Sequence, residues 1–425
     1  MTSNYILILD LAWEYISIED IRQISCDILP LLPERICREL EIELETYYRK
    51  TEFCYRIKVG GLAWRKPEYK INISQLKEYL ITNGKHIRKL QISNFAKENE
   101  KSFILLKQVQ GDIWYLIKTH CLYINNITTY PLDLQATSLY KKCSTIELSL
   151  INSQSVDLPA LNCKKLKLWL KDDEFEPPSL LFNQVLASVP CLQSLNISGP
   201  DCYWALNDIN HLIPVLQVLS KIKTLKHIDW TLHVRFAAIW TSERINYNLT
   251  LDSYKLTIEK DYATYLTPYI FQVALFPVKC TTLYLKAYPD DPSLLQIKDY
   301  LNQQPWHSLS LDYDYFHSIL EFVTCKVEYY ELRGYHDINI PQVVLAQASI
   351  LSYLSFLDIG KDFIIKNATS KFVYLELDYA TKDVTNYKIR FDGLDGYKVT
   401  TRSCVPIGKD GYKIFILYLK HTANK

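Results

Sequence analysis

Apolar residues recur along this chain in one short pattern, in which an apolar residue is followed three and five positions later by two more. Ile87, Leu90 and Ile92 form the first clear copy. Further copies begin at positions 143, 163, 192, 225, 280, 306, 327, 354 and 372. Two apolar residues that flank one other residue are typical of a strand with one buried face. The pattern therefore predicts a series of short strands built from one repeated unit.

The distance between successive copies is irregular. It ranges from 18 residues (372 − 354) to 56 residues (143 − 87), and weaker copies that begin at Thr119 and Asn246 would divide the two longest gaps. Helical patterns lie between copies, at 180–189, 209–222 and 294–301. Because parallel strands need such crossovers, we expect an α/β fold, an irregular leucine-rich-repeat solenoid or horseshoe.

The two ends of the chain do not follow the repeated apolar pattern. Ser17 and Asp20 fit a capping box at the start of a helix with apolar residues three and four positions apart, and a second helix is predicted over 34–48. Near the other end, 408–411 predicts a hairpin and 412–419 a strand. We predict a helical module (1–50), a connector (51–70), a degenerate leucine-rich-repeat solenoid (71–385) and a β-rich C-terminal cap (386–425).

Composition narrows the environment of the protein. The 425 residues carry a net charge of +1, so nucleic acid is not an expected partner of this chain alone. We interpret the basic clusters at 85–89 and 164–167 as solvated strand faces. The 11 cysteines include no C-x-x-C pair, and Cys143, Cys163 and Cys280 occupy the first apolar position of the repeat. Buried free thiols, no signal-peptide pattern and no long apolar run favour a cytoplasmic or nuclear protein with no membrane contact.

Few residues suggest catalytic chemistry. His227, Asp229 and His233 alternate along one predicted strand and are a candidate metal or acid–base site, against the simpler interpretation of a polar strand face. Acidic residues at 172–176, 290–291 and 312–314 are interpreted as solvated turns, or as loops that bind a partner. Phosphate-binding, nucleophile-elbow, zinc-protease and dinucleotide motifs are missing, so we predict no catalytic residues, no metal and no cofactor.

The segment 15–25 reads Y-I-S-I-E-D-I-R-Q-I-S. Together with the repeats it resembles the F-box/leucine-rich-repeat family, the substrate receptors of cullin–RING ubiquitin ligases. The family's opening proline and closing tryptophan are missing here. The resemblance implies that a Skp1-like adaptor binds a set of residues in this segment and just before it: Trp13, Ile16, Asp20, Ile21 and Ile24.

Three functions are compatible with this sequence. The first is a non-catalytic substrate-recognition subunit of a Skp1–cullin–F-box ubiquitin ligase, which binds an unknown target protein through the concave face of its repeats. The alternative is a repeat scaffold, or an effector subunit of a larger assembly, with no ubiquitin-ligase link. An enzyme is the third, and it would need His227 or Cys404 beside a perturbed carboxylate. The first two differ in whether residues 1–50 expose an adaptor surface or pack on the first repeat.

Overall fold

The structure of the protein is a computed structural model. It describes residues 37–49, 52–60, 69–95, 100–130, 133–151, 158–171, 184–198, 212–234, 247–260, 269–287, 291–312, 325–334, 343–344, 348–356, 365–366, 372–379, 397–407 and 412–421. The chain divides into two compact units. The first comprises residues 1–151, 156–169 and 188–190, and the second comprises 152–155, 170–187 and 191–425.

The first unit contains strands that alternate with helices. The strands are β1 (Glu39–Arg49), β2 (Glu52–Gly60), β3 (Tyr69–Ile71), β4 (Lys89–Phe95), β5 (Asn126–Tyr130), β6 (Thr145–Ile151) and β7 (Lys165–Lys171). The helices are α1 (Ile73–Asn83), α2 (Glu100–His120) and the single turn α3 (Thr137–Tyr140). The long helix α2 buries Ile113, Trp114 and Ile117, and thereby covers the apolar side of the strands.

Parallel pairing places the same motif position of successive repeats side by side. Leu40 of β1 lies opposite Leu90 of β4, Leu90 opposite Ile127 of β5, and Ile127 opposite Ile146 of β6. All four side chains are buried. A row of apolar residues across neighbouring strands buries one face of every strand, which stabilises each repeat through its neighbours.

A main-chain hydrogen-bond pattern recurs at the starts of several strands. The carbonyl oxygen one residue after the first motif position accepts two N–H groups of the next repeat. The accepting residues in the first unit are Arg38, Arg88, Asn125 and Ser144, and those in the second are Gln193 and Lys226. Because the carbonyl and its two donors keep the same motif positions each time, the repeats stack in one register.

The structure corrects the prediction for 34–48. We predict a helix there, within a helical module that ends at 50, but Glu39–Arg49 is the strand β1. The sequence E-L-E-I-E-L-E alternates with a period of two, which places Leu40, Ile42 and Leu44 on one buried face. Cys37, Leu40 and Ile42 thus form a copy of the motif, and the repeats begin before residue 71.

The predicted connector also contains regular structure. Glu52–Gly60 is the strand β2, which pairs antiparallel with β1, and β3 pairs antiparallel with β2. Ile57 and Val59 of β2 are buried, so this stretch contributes to the core. Residues 52–60 of the predicted connector therefore form a strand of the core.

The second unit continues the alternation. Its strands are β8 (Ser194–Ser198), β9 (His227–Val234), β10 (Leu249–Lys260), β11 (Val278–Lys286), β12 (Trp306–Asp312), β13 (Val327–Gly334), β14 (Val343–Val344), β15 (Ala348–Phe356), β16 (Ile365–Lys366), β17 (Phe372–Tyr379), β18 (Tyr397–Ile407) and β19 (Tyr412–His421). Its helices are α4 (Leu212–Lys221), α5 (Tyr269–Ala274) and α6 (Asp291–Asn302). The helices α4 and α6 confirm the patterns predicted at 209–222 and 294–301.

Parallel pairing runs from β8 through β13 to β15 and β17. At the end, β19 pairs antiparallel with both β17 and β18, which confirms the predicted strand at 412–419 and the pairing expected of a hairpin at 408–411. The strands β18 and β19 therefore differ from the repeat strands before them, which pair in parallel.

Four weak or late motif copies have the wrong register. One is the copy predicted at Phe372, because Leu351 of β15 lies opposite Val373 of β17 and not opposite Leu375. The copy predicted at Thr119 falls in α2 and the following turn, and its second apolar residue, Leu122, is 59% exposed. Within β10 the pairing with β11 makes Leu251, not Asn246, the first position, because Leu251 lies opposite Cys280. Within β15 the first position is Ala348, which lies opposite Val327, instead of Leu354.

The predicted α/β class is confirmed for the part of the chain that the structure describes. Parallel strands follow one another with helices between several of them, and each unit has a buried apolar core. Among these described segments no helix is long and apolar enough to span a membrane. The predicted helix after Ser17 lies outside the described residues.

Candidate binding face

Each repeat strand has a second face that is polar. The residue between the last two apolar positions of the motif lies on this face, as Glu147 does between the buried Ile146 and Leu148. The residue two positions further on lies there as well. We call this surface the polar strand face of each unit. Because neighbouring strands are about 4.8 Å apart, side chains of adjacent repeats can interact across it.

A cluster around Glu147 lies on the polar strand face of the first unit. Tyr130 of β5 donates a hydrogen bond from its hydroxyl to Glu147 Oε1, and the Trp169 Nε1 of β7 donates another at 2.5 Å. The Lys167 Nζ lies 3.1 Å from the same oxygen and 4.6 Å from the centroid of the Trp169 ring. The Tyr130 and Trp169 rings meet edge to face, with centroids 6.4 Å apart.

These contacts fix the charge states in the cluster. Burial raises the pKa of the Glu147 carboxyl, but the hydrogen bonds from Tyr130, Lys167 and Trp169 outweigh burial, and the pKa lies below its usual value. Burial and the hydrogen bond to Glu147 raise the pKa of Tyr130. At neutral pH Glu147 is thus a carboxylate and Tyr130 a neutral phenol.

A second charged cluster lies on β1 and β2. The Lys58 Nζ lies 2.7 Å from Glu45 Oε1 and 3.0 Å from Glu43 Oε1, and the Lys58 side chain is only 11% exposed. Donating hydrogen bonds to Glu45 and then to Glu43 raises the pKa of Lys58, and accepting the hydrogen bond from Lys58 lowers the pKa of Glu45. Arg56 of β2 also lies 3.7 Å from Glu45 Oε2, so two carboxylates of β1 face two cations of β2, and these contacts stabilise the paired strands.

In the second unit, side chains on four neighbouring strands contact one another in a row. Asp229 Oδ2 of β9 accepts hydrogen bonds from Asn196 Nδ2 of β8 at 3.0 Å and from Lys255 Nζ of β10 at 3.2 Å. The Lys255 Nζ also lies 5.3 Å from the centroid of the Tyr284 ring of β11. The side chains of Asp229 and Lys255 are 37% and 46% exposed, so a partner could reach both.

The candidate site predicted on the strand 227–233 is described only in part. Asp229 contacts an amide and an ammonium from neighbouring strands, as expected of a polar strand face. Among the described residues no group of three or more histidine, cysteine, aspartate or glutamate side chains is arranged to hold a metal ion. His233 belongs to β9, but its side chain lies outside what the structure describes.

The cysteines in the first motif position are buried, as predicted for Cys143, Cys163 and Cys280. Burial raises the pKa of all three thiols to about 12. A thiol is a nucleophile only as thiolate, so these cysteines act as small apolar core residues. Cys404, named above as a candidate nucleophile, belongs to β18, and the structure does not describe its side chain.

The predicted adaptor-binding residues all lie outside the described part of the chain. These are Trp13, Ile16, Asp20, Ile21 and Ile24. The clusters around Glu147 and Asp229 were not predicted, because each joins residues from different repeats. The sequence gives a positional signal for three of these residues, because Glu147, Lys167 and Asp229 each lie four residues after a predicted first motif position. Lys255 has the same position only in the register that the pairing of β10 with β11 defines.

Three comparisons with known proteins give the same result. No protein-family model, no curated protein and no solved structure matches the chain.

Proposed function

We propose that this chain is a non-catalytic protein-interaction module. An irregular leucine-rich-repeat solenoid would present its polar strand face, on the concave side, to a target protein. The observation that carries the proposal is the row of partly exposed charged and aromatic residues, at one motif position, on strands that pair in one register. A rigid sheet fixes such side chains before a partner binds, which reduces the entropy lost on association.

We further propose that the protein is the substrate-recognition subunit of a Skp1–cullin–F-box ubiquitin ligase. This rests on the resemblance of residues 15–25 to the family. The subunit would act by proximity, because holding a target beside a ubiquitin-loaded enzyme raises its effective concentration. No catalytic residue is needed in this chain, and the raised thiol pKa values of the core cysteines agree with that role.

One observation favours the alternative, a repeat scaffold or effector subunit without a ligase link. Residues 39–49, which we assign to the helical module from the sequence, form β1 and pair with the repeat strand β4. The N-terminal part that could form an F-box is therefore limited to residues before Cys37. Both functions use the polar strand face, and they differ in the adaptor.

Affinity purification of the tagged full chain, followed by mass spectrometry, tests the two proposals together. The triple variant Ile16→Ala, Asp20→Ala, Ile21→Ala should lose a Skp1-like adaptor and keep the target. The double variant Asp229→Lys, Lys255→Glu should keep the adaptor and lose the target. Ile81→Ala, at a side chain that is 56% exposed on α1, is the matched apolar control and should lose neither.

Two results would contradict these proposals separately. If the wild-type chain captures a target but no adaptor or cullin, the ligase link is wrong and the scaffold function stands. If the target is retained by the Asp229→Lys, Lys255→Glu variant, the polar strand face of the second unit is not the binding surface.

A further inference from the structure

A basic edge lies where the repeat strands of the first unit begin. It comprises the residues just before and just after the first motif position of three repeats: Lys85, Arg88, Lys89, Lys141, Lys142, Lys164 and Lys165. Six of these side chains are exposed and Arg88 is half-buried. These residues lie at the starts of the strands, before the motif position that Glu147 and Lys167 occupy.

Main-chain hydrogen bonds hold this edge in place. The carbonyl oxygen of Arg88 accepts the N–H groups of Asn125 and Asn126, and the carbonyl oxygen of Ser144 accepts those of Lys164 and Lys165. Successive strand starts are thus fixed about 4.8 Å apart. The basic side chains project from a rigid base and not from a long loop.

An exposed apolar pair lies within this edge. Leu122 and Tyr123, each 59% exposed, immediately precede the first motif position of the β5 repeat, where the neighbouring repeats have Lys85–His86 and Lys141–Lys142. A Cβ atom on Gly84 would lie 2.7 Å from the carbonyl oxygen of His120. This close approach, which requires glycine, brings the end of α2 and the turn that follows it beside Lys85.

Arg88 joins the apolar pair to the basic side chains. Its guanidinium carbon lies 4.9 Å from the centroid of the Tyr123 ring, and its Nη1 donates a hydrogen bond to the carbonyl oxygen of Lys85 at 2.7 Å. These contacts orient the guanidinium and the ring before any partner binds. An aromatic residue fixed among arginine and lysine side chains is typical of the centre of a protein interface.

The charge of this edge is local and largely uncompensated. Lys89 pairs with Glu39 of the neighbouring strand at 3.5 Å. Within the described residues, no carboxylate forms an ion pair with Lys141, Lys142, Lys164 or Lys165. Since the net charge of the whole chain is only +1, this concentration of positive charge is a property of the edge and not of the composition.

We propose that the basic edge binds an acidic segment of a partner protein that carries an apolar or aromatic side chain between its carboxylates. The apolar side chain would pack on Leu122 and Tyr123, and the carboxylates on either side would pair with Lys85 and Arg88 and with Lys141 and Lys142. Nucleic acid fits this surface less well, because Arg88 already covers one face of the Tyr123 ring and Leu122 offers no stacking surface. The proposal deepens the protein-interaction function proposed above and rests on it.

Fluorescence anisotropy with the full chain and a labelled twelve-residue peptide tests this inference. The peptide has a Leu-Phe pair flanked on each side by glutamate and aspartate. The double variant Lys141→Glu, Lys142→Glu should weaken binding at least about tenfold, and Tyr123→Ser about threefold or more. The control is Lys77→Glu, Lys107→Glu, which changes the same charge at exposed lysines on α1 and α2 and should weaken binding less than about twofold.

Circular dichroism should show every variant folded, because all of these side chains except Arg88 are exposed. The proposal fails if the control variant weakens binding as much as Lys141→Glu, Lys142→Glu, or if the wild type does not bind the peptide. It also fails if a labelled oligouridylate or phosphatidylserine vesicles bind more tightly than the peptide with the same dependence on these lysines. A failure here leaves target capture by the polar strand face unaffected, so the two proposals are tested independently.

Discussion

Two carboxylates at the same position of the repeat have different surroundings. Glu147 accepts hydrogen bonds from three side chains and its own side chain is 23% exposed. Asp229 accepts from Asn196 and Lys255 and is 37% exposed. Exposed ion pairs contribute about 0–1 kcal/mol, whereas a hydrogen bond to a charged group away from water contributes about 1.5–3 kcal/mol. Glu147 therefore stabilises the fold, and Asp229 is free to exchange its contacts for those of a partner.

The variant Glu147→Gln tests this difference. We expect a loss of about 1–2 kcal/mol in the free energy of unfolding at pH 7, because an amide cannot replace the charged acceptor of three donors. The folded-state pKa of Glu147 is lowered, so its stabilisation is present above the unfolded pKa of about 4.3 and is lost as pH falls through the folded pKa. The difference in unfolding free energy between the variant and the wild type should therefore become smaller below about pH 4. Urea unfolding followed by tryptophan fluorescence at pH 7 and at pH 3 (roughly one unit below the unfolded pKa) measures both effects.

Asp229→Asn is the matched control, with an expected loss of less than about 1 kcal/mol. Two results would contradict the stabilising role of Glu147. One is an equal loss of unfolding free energy in the two variants, and the other is a loss in Glu147→Gln that is the same at pH 7 and pH 3.

The cysteines permit a second prediction at this scale. Iodoacetamide at pH 8 should label Cys191, which is exposed, and leave Cys143 and Cys163 unmodified in the folded protein. Burial both blocks access and raises the pKa of these two thiols to about 12, so little thiolate is present. Mass spectrometry of the digested protein measures the labelling rate of each cysteine. In urea, where the protein is unfolded, the three cysteines should be labelled at similar rates. Labelling of Cys143 at the rate of Cys191 in the folded protein would be inconsistent with a core position.

At the scale of elements, β1 shows how local sequence and tertiary structure compete. Its glutamates and leucines are good helix formers, and their propensity supports the helix predicted over 34–48. The alternation of glutamate with Leu40, Ile42 and Leu44 cannot place these three side chains on one face of a helix, but it does so in a strand. Pairing with β2 and β4 on both sides then completes the main-chain hydrogen bonds.

An alanine series across β1 tests the strand. Leu40→Ala, Ile42→Ala and Leu44→Ala should each lower the free energy of unfolding by about 2–5 kcal/mol, because all three side chains are buried. Glu41→Ala, on the opposite and exposed face, should change it by less than about 0.5 kcal/mol. Urea unfolding measures the series. A helix would bury only one or two of the three positions, so one near-neutral substitution among them would argue against β1.

Much of the element pattern could be predicted because apolar residues at the second and third motif positions define a strand without reference to the rest of the chain. The copies at Cys143, Leu192 and Cys280 fall on strands for this reason. The register of β10 could not be predicted, because its core position is Tyr254, whose hydroxyl is satisfied by the Ala274 carbonyl only in the folded chain.

The clusters on the polar strand face could not be predicted either. The contact between Asp229 and Lys255 depends on which strands become neighbours and on their register, and no local pattern encodes it. The basic edge was visible as clusters at 85–89 and 164–167, but only pairing of the repeat strands brings them to one side of the unit.

At the scale of the whole molecule, the chain divides into two compact units, and each has a buried apolar core. In the proposed solenoid a repeat contacts chiefly the repeats beside it, so stability is close to a sum of terms for single repeats and for neighbouring pairs. A destabilised repeat then opens together with its neighbours, while distant repeats keep their protection. In a protein with a single cooperative core, the same substitution would instead destabilise every strand.

Hydrogen exchange with mass spectrometry distinguishes these two behaviours. Leu90→Ala in β4 removes a fully buried side chain and should raise the exchange rates of β1, β4 and β5 by about tenfold or more. The amides of β10, β11 and β12 should keep wild-type rates. Leu283→Ala in β11 is the reciprocal variant, and it should raise exchange in β10, β11 and β12 while β1, β4 and β5 stay protected. If either substitution raises exchange equally in both sets of strands, the chain unfolds as one cooperative body, and a solenoid whose repeats are stabilised by their neighbours is the wrong description.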